Sequence, residues 1–164
     1  MVPEFKKILY PTDMSETSNH AFSYAVSLAN RYDASITIFH VLMNPMPTSE
    51  NLVTNVIGNS KWQELLSQKR TEVVEKIRLR LEKFCDETKA ELPACPFLVE
   101  EVIVKIGNPV EVILQEADQK NYDVIIMGAH GHGAIAGAVM GSVSRRVVRR
   151  STTPVLVVRL PDEE

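Results

Sequence analysis

The chain has 164 residues, of which 45% are hydrophobic and 24% charged, and its formal net charge is −3. This length suits one domain with a single core, and the composition excludes a collagen, a coiled coil and a wholly disordered chain. The slightly acidic balance also excludes the positive field over the whole molecule that general nucleic-acid binders use.

Targeting and membrane segments are not indicated. The basic first residues are followed by only Ile8-Leu9-Tyr10 before a proline, which is too short for a signal peptide. Val124 to Ser144 contains no Asp, Glu, Lys or Arg, but its five glycines, two histidines and two serines make a poor membrane span. The two cysteines are too few for a disulfide framework and suit a reducing compartment. We expect Cys85 in the core and Cys95 exposed in a turn.

Five short apolar runs, rich in β-branched residues and bounded by Gly, Pro or Asn, predict strands. The fourth run is apolar at every position, which predicts a strand that is buried on both faces. The predicted strands are Lys6–Pro11, Ala34–Leu42, Leu98–Ile106, Val124–Met127 and Pro154–Leu160.

Between these runs the apolar residues recur every three or four positions, which predicts helices. Asn108 and Pro109 are a good cap and a good first helical residue for one of them. The cap candidates for the first helix are Asp13, Ser15, Thr17 and Ser18. The predicted helices cover Phe22–Ala29, Trp62–Cys85 (about seven turns), Asn108–Ala117 and Ser142 to about Arg150.

The alternation of strands and helices predicts a parallel sheet with helices on both faces. Met43–Ser60 interrupts the pattern as an 18-residue connection with two prolines. Connections of this length in a compact domain are usually functional or disordered loops, so we expect a long loop here.

Glycines cluster after the fourth predicted strand. No Gly is followed by Lys, and no G-x-S-x-G occurs, so neither a P-loop nor a nucleophile elbow is predicted. Gly131 to Ala136 matches the loose form of the dinucleotide fingerprint. However, this match follows the fourth strand instead of the first and has no acidic residue about 20 positions on.

A wider pattern joins Gly128 and Gly131 to Gly141-Ser142. It predicts a strand, a Gly-rich loop and a helix N-terminus, whose free N–H groups and positive dipole end favour an anion. Glycines let the backbone approach a phosphate closely and allow positive φ. The Ser142 hydroxyl could donate to a phosphate or simply cap the helix, so a phosphate site and a structural turn both stay open.

The spacing of Gly128, Gly131, Gly141 and Ser142 is also G-x2-G-x9-G-[S/T]. With this motif and with ordered matches along nearly its whole length, the sequence resembles the universal stress protein family. The resemblance implies one domain over residues 1–164, an α/β Rossmann-like three-layer sandwich with a five-stranded parallel sheet in the order 3-2-1-4-5, a cytoplasmic homodimer, and the family's ATP-binding branch. The further matching segments are Ile8-Leu9-Tyr10-Pro11-Thr12-Asp13, Phe39-His40-Val41, Gly107-Asn108-Pro109, Tyr122-Asp123-Val124-Ile125-Ile126-Met127-Gly128 and Thr153-Pro154-Val155-Leu156-Val157-Val158.

The resemblance implies a set of ATP-binding residues, with Mg²⁺ or Mn²⁺ carried by the phosphates and no metal held by the protein. Pro11 and Asp13 would flank the adenosine, and the backbone of Val41 would meet the adenine edge. Many ATP-binding members carry Lys or Arg where His132 stands, and a neutral His attracts phosphates less. The implied set is Pro11, Thr12, Asp13, Val41, Met127, Gly128, Ala129, His130, Gly131, His132, Gly141, Ser142, Val143 and Ser144.

Plainer interpretations exist for several of these residues. Asp13 could be only the cap of the first helix. His130 and His132 have no third metal ligand nearby, so loop residues are the better interpretation. The i, i+4 spacing and the helix dipole are enough to explain the arginines at the end of the last helix, and an acidic partner is possible but not required; they are Arg145, Arg146, Arg149 and Arg150.

The favoured function is an ATP-binding regulatory protein of a stress response, with at most slow hydrolysis, because no general base is paired with an attacking water. The alternatives are a nucleotide-independent dimeric scaffold and an adenine-nucleotide α-hydrolase. The hydrolase would need a Ser-Gly-Gly-rich loop where this chain has Pro11-Thr12-Asp13-Met14-Ser15. We expect no nucleic-acid or membrane partner. A homodimer would form through the apolar edge strand Val155, Leu156, Val157 and Val158.

Overall fold

A computed structural model describes residues 1–43, 47–93, 95–132 and 139–161. Five parallel strands form one sheet in the order β3-β2-β1-β4-β5, as predicted. The strands are β1 (Lys7–Pro11), β2 (Ser35–Met43), β3 (Val99–Gly107), β4 (Val124–Gly128) and β5 (Val155–Val158). The helices are α1 (Glu16–Tyr32), α2 (Pro47–Ile57), α3 (Asn59–Glu87), α4 (Cys95–Leu98), α5 (Pro109–Gln119) and α6 (Ser142–Arg150).

The sheet separates two apolar cores, because successive side chains of a strand point to opposite faces. Ile8 and Tyr10 of β1 belong to the core covered by α1 and α3. Leu9 belongs to the opposite core, which α5 and α6 cover. The central strand β4 is buried on both faces, as its continuous apolar run predicts.

Two helix starts are set by side-chain caps. Ser15 accepts a hydrogen bond from the Ser18 N–H at 3.2 Å and is the N-cap of α1. The interpretation of Asp13 as that cap is therefore wrong. Asn108 caps α5, and Pro109 occupies its first turn, as predicted.

The prediction of a long loop at Met43–Ser60 is wrong. Residues 47–57 form α2, and α3 already begins at Asn59; residues 44–46 lie outside the described ranges. The prolines suggested a loop, but Pro47 is the first residue of α2, where a missing N–H costs nothing. Apolar residues at helical spacing follow it, namely Leu52, Val53, Val56 and Ile57.

The two cysteines form a disulfide, Cys85–Cys95, with Cα atoms 5.5 Å apart, which runs against the reducing compartment expected from their low number. Cys85 is buried as expected, but Cys95 is also buried, so its predicted exposure is wrong. The short helix α4 begins at Cys95 and packs against α3 and α1. This packing brings the second sulfur under the C-terminal end of α3, which the turn-like sequence around it did not indicate.

Candidate functional site

The loops that follow β1 and β4 meet at the carboxyl edge of the sheet, where the strand order reverses. Asp13 joins them. Its Oδ2 accepts a hydrogen bond from the His132 N–H at 3.0 Å, and its Oδ1 accepts one from the Ser15 N–H at 2.9 Å. The His132 Nε2 lies 2.9 Å from the Asp13 carbonyl oxygen, to which it donates. Asp13 therefore holds the loops after β1 and β4 together, and the space between these two loops is called the crevice below.

The position of Gly131 has no space for a side chain. A Cβ built on this residue would overlap the Asp13 carboxylate. The positive-φ residues of the described ranges include Gly58 and Gly107 but not Gly131. The loop backbone at Gly131 thus lies close to the Asp13 side chain. The close approach to a phosphate stays a prediction, and the positive φ that glycine would also permit is not used here. The rest of the loose dinucleotide match, residues 133–136, lies outside the described ranges.

Thr12 faces inward. It is 8% exposed, and its hydroxyl oxygen accepts hydrogen bonds from Ser18 Oγ at 2.7 Å and from the Met14 N–H at 3.0 Å. Its carbonyl oxygen accepts one from His40 Nδ1 at 2.6 Å. Among the predicted site residues, Thr12 therefore anchors the loop, while Asp13 points toward the crevice.

Two anchors of this loop are absent from the set that the sequence predicts. His40 is a polar residue inside an apolar strand, which is a signal that could have marked it. Arg80 of α3 gives no such signal, because it is one of many exposed charges on a long helix. Its Nη1 donates to the Met14 carbonyl oxygen at 2.6 Å, and Met14 has a left-handed backbone with φ 62°. Tyr10 lies beneath the loop and donates to the Ser18 carbonyl oxygen at 2.6 Å.

Burial raises the pKa of Tyr10 above its ordinary value, and the hydrogen bond with Ser18 only partly opposes this effect. The phenol therefore stays neutral and remains a donor at physiological pH.

The first residues after β4 form a rigid frame. Met127 and Ala129 are buried, and the Ala129 N–H donates to the Val158 carbonyl oxygen at 2.7 Å. A Cβ on Gly128 would come within 3.0 Å of the Ser18 nitrogen, so this glycine allows α1 to pack closely. Pro11, the last residue of β1, is also buried. These predicted site residues support the walls of the crevice more than they form its surface. His130, the next residue along the chain, is half-buried.

The start of α6 is open. Its N-cap is Gly141, which has no side chain to cap the helix, and the Arg145 N–H makes the first intrahelical bond, to the Gly141 carbonyl oxygen at 3.1 Å. Within the described ranges, the N–H groups of Ser142, Val143 and Ser144 donate to no protein acceptor. Ser142 does not cap the helix, so the interpretation of its hydroxyl as a cap is wrong.

The two serines of this helix start differ. Ser144 is 3% exposed, and its hydroxyl donates to the Ala129 carbonyl oxygen at 2.6 Å. Ser142 is exposed. The Ser144 hydroxyl therefore fixes the loop to the helix, while no described residue occupies the Ser142 hydroxyl or the three amides, which can accept an anion.

On the side that faces β1, the backbone groups of Val41 have no partner among the described residues. The ladder between β1 and β2 ends at the pair Pro11 and Phe39, and the Phe39 carbonyl oxygen accepts from the Thr12 N–H at 2.8 Å. Backbone groups alternate in direction along a strand, so Val41 points its N–H and C=O to the same side as Phe39, beyond the end of β1. One donor and one acceptor without a partner in the described ranges thus lie side by side.

The described residues contain neither a metal-binding cluster nor a membrane-spanning helix. In the parts of the chain that the structure describes, no group of three or more His, Cys, Asp or Glu residues is arranged to hold a metal ion. No helix among those parts is both long enough and apolar enough to span a membrane.

The fold is that of one protein family. The model of the universal stress protein family matches residues 4–159, and the chain belongs to this family. Universal stress protein MJ0577 of Methanocaldococcus jannaschii is 30% identical over 155 residues, which are 94% of this chain and 95% of that protein.

Solved structures agree with this assignment. Universal stress protein UspA from Lactobacillus plantarum superimposes with a TM-score of 0.72 at 25% identity, over 96% of this chain and all of the other. A universal stress protein crystallised in complex with cAMP superimposes with a TM-score of 0.58 at 25% identity, over 95% of this chain and 98% of the other.

Proposed function

We propose that the chain is one nucleotide-binding domain that holds ATP in the crevice between the β1 and β4 loops. The observation that carries this proposal is the open start of α6, where three amides and the Ser142 hydroxyl converge without a protein acceptor in the described ranges. A helix N-terminus of this kind favours a phosphate through its N–H groups and its dipole.

The rest of the crevice suits the adenosine. The free N–H and C=O of Val41 can pair with the adenine edge, which presents an acceptor beside a donor. The Asp13 carboxylate is only half-buried and retains lone pairs beyond its two amide bonds, so it can accept from a ribose hydroxyl. Mg²⁺ or Mn²⁺ would come with the phosphates, since these ions favour phosphate oxygens and water.

The Asp13 environment argues for binding over fast hydrolysis. A general base must accept a proton from an attacking water. Both Asp13 oxygens already accept backbone N–H groups, from Ser15 and His132, so this carboxylate is committed to holding the two loops together. We therefore propose a regulatory nucleotide-binding role with at most slow hydrolysis, in a stress response.

A cyclic nucleotide is the second candidate, because one solved relative is a complex with cAMP. The open α6 start favours ATP over cAMP, since a triphosphate offers more acceptor oxygens to three free amides. A scaffold that needs no nucleotide is disfavoured by the motif glycines. One of them, Gly131, leaves no space for a side chain beside Asp13.

Calorimetric titration with ATP, GTP and cAMP tests this proposal, with adenosine and tripolyphosphate as the two halves of the ligand. We expect ATP to bind more tightly than GTP, because a guanine edge reverses the donor and acceptor that meet Val41. Mass spectrometry of any nucleotide extracted from the purified protein is an independent check. Equal affinities for ATP and GTP would contradict the adenine assignment, and no binding of ATP or tripolyphosphate would contradict the site.

We also propose a homodimer through β5 and a cytoplasmic location. β5 is an edge strand of the sheet, and its Leu156 is 36% exposed. Antiparallel pairing of two such edges would cover it. The mass of the protein in solution, for the wild type and for Val157→Lys, tests the pairing; an unchanged mass would place the interface elsewhere.

A further inference from the structure

A cavity of about 190 Å³ lies between α1 and α3, below the carboxyl ends of β1 and β2. Its walls belong to the core on the α1 and α3 face of the sheet, opposite the face that α5 and α6 cover. They include Tyr10, Phe22, Ile38, Ile77, Leu81 and Phe84. The cavity therefore lies on the face of the sheet opposite α6, although Thr12 and Met14 of the β1 loop, on either side of Asp13, also line it.

The inner wall is aromatic. The rings of Tyr10 and Phe22 have centroids 5.1 Å apart, and those of Phe22 and Phe84 are edge-to-face at 4.9 Å. Another ring could join this set with the same offset or edge-on geometry. For scale, an engineered apolar cavity of about 150 Å³ holds benzene, so this space suits one ring with a short substituent.

The rim carries a cation that lacks a carboxylate. Arg80 lines the cavity, and its Nη1 contacts only neutral oxygens, those of the Met14 carbonyl at 2.6 Å and the Asn19 amide at 3.4 Å. No acidic side chain of the described ranges pairs with it, and its Nε and Nη2 have no acceptor there. Arg78, two residues earlier on α3, donates to both Glu75 and Glu82.

The other charged rim residues compensate each other. Lys83 lies 3.8 Å from Glu87, and both line the cavity with Arg80. The rim therefore has an excess positive charge at Arg80, beside an aromatic interior. The guanidinium fork can still bind a planar anion through Nε and Nη2 without leaving the Met14 carbonyl.

We propose that this cavity is a binding site for a small aromatic carboxylate, with its ring against Phe22 and Phe84 and its carboxylate on Arg80. The ring would bury apolar surface, and the charged hydrogen bonds would select an anion over an uncharged molecule of the same shape. This inference does not depend on nucleotide binding.

Phenylacetate is the probe, and 2-phenylacetamide is its uncharged counterpart. Binding is followed by amide chemical shifts in a ¹H–¹⁵N spectrum of the full chain. We expect saturable shifts at millimolar phenylacetate, concentrated at Asn19 and Phe84, and several-fold weaker binding of the amide. Arg80→Met should weaken phenylacetate by roughly tenfold, the usual scale for losing charged hydrogen bonds. The matched variant Arg78→Met should bind like the wild type.

A filling variant tests the location. Leu81→Trp should abolish phenylacetate binding, because the indole ring would occupy the cavity. If Leu81→Trp does not fold, the effect of Arg80→Met on phenylacetate binding decides the question. The absence of saturable shifts at millimolar phenylacetate would overturn the proposal. So would equal binding of the amide, or equal effects of Arg80→Met and Arg78→Met. Because none of these measurements contains nucleotide, their failure would leave the ATP proposal untouched, and the reverse also holds.

Discussion

Helices α5 and α6 both begin at the carboxyl edge of the sheet, but their first turns are completed in different ways. In α5 the Asn108 side chain accepts from the N–H groups of Val110 at 3.1 Å and Glu111 at 3.3 Å. In α6 the cap is Gly141, and no side chain takes that place. The N–H groups in the first turn of a helix need acceptors. The described residues supply them for α5 but not for α6, whose first amides are open to water or an anion. The difference indicates which helix start can serve as a ligand site.

The largest expected effect comes from Gly131→Val. Its side chain would overlap the Asp13 carboxylate and so push the β1 and β4 loops apart beside the start of α6. We expect ATP affinity to fall at least about 100-fold, the scale expected when several charged hydrogen bonds to one ligand are disrupted together. Thermal unfolding with and without ATP checks this, because bound ligand stabilises by mass action. Stabilisation by ATP that persists in the variant would refute the site.

The substitution Gly141→Asp would give α6 a side-chain cap of the kind that α5 has. The new carboxylate would accept the free amides and repel phosphates. We expect about tenfold weaker ATP binding than in Gly141→Ala, with an unfolding temperature that is equal or higher without ligand. Gly141→Ala is the control for space, since a Cβ there would lie 3.3 Å from the Ala129 carbonyl oxygen. If both variants bind ATP equally, the free amides do not hold the phosphates.

Arg80→Met tests the support behind Asp13. Without its hydrogen bond to the Met14 carbonyl, the left-handed Met14 is held less firmly, and such a conformation costs about 1 kcal/mol or more. We expect about fivefold weaker ATP binding, measured by calorimetry. Arg78→Met is the control on the same helix. Asn favours left-handed backbone, so the loss should shrink in a Met14→Asn background; an undiminished loss would mean that Arg80 acts in another way.

Ser142→Ala should have a smaller effect, because it removes one exposed hydroxyl and leaves the amides in place. One hydrogen bond of this kind contributes about 0.5–1.5 kcal/mol, and somewhat more to a charged phosphate. We expect ATP affinity to fall about threefold to tenfold without a change in the unfolding temperature of the free protein. A lower unfolding temperature with unchanged affinity would restore the capping role that the structure denies to Ser142.

Asn108→Ala should leave ATP binding unchanged, since α5 is closed by its own cap. The loss of an N-cap costs about 1 kcal/mol, which corresponds to an unfolding temperature about 2–4 °C lower in a chain of this size. Calorimetric unfolding and one ATP titration measure both effects. A marked loss of ATP affinity would show that the two helix starts are not independent.

Much of the fold was predictable because its signals are local. The apolar run of β4, the cap and proline that open α5, and the serine-to-arginine span of α6 were all located to within about a residue. The errors arose where neighbours along the chain mislead. The prolines near residue 47 indicated a loop where the chain forms α2. The turn-like sequence around Cys95 indicated an exposed residue, although Cys95 is buried against α3.

The features of the candidate site also divide into those that local sequence predicts and those that only the folded chain shows. A Gly-rich loop between a buried strand and a helix could be located from the amino acids alone, because strand, turn and helix preferences depend on residues a few positions apart. The closure of Asp13 on His132, 119 residues away, and the support of Met14 by Arg80 across 66 residues became evident only in the folded chain. The same is true of the α6 amides, which have no protein acceptor in the described ranges. Hydrogen bonds between distant segments depend on how the sheet orders its strands, and no local preference encodes that order.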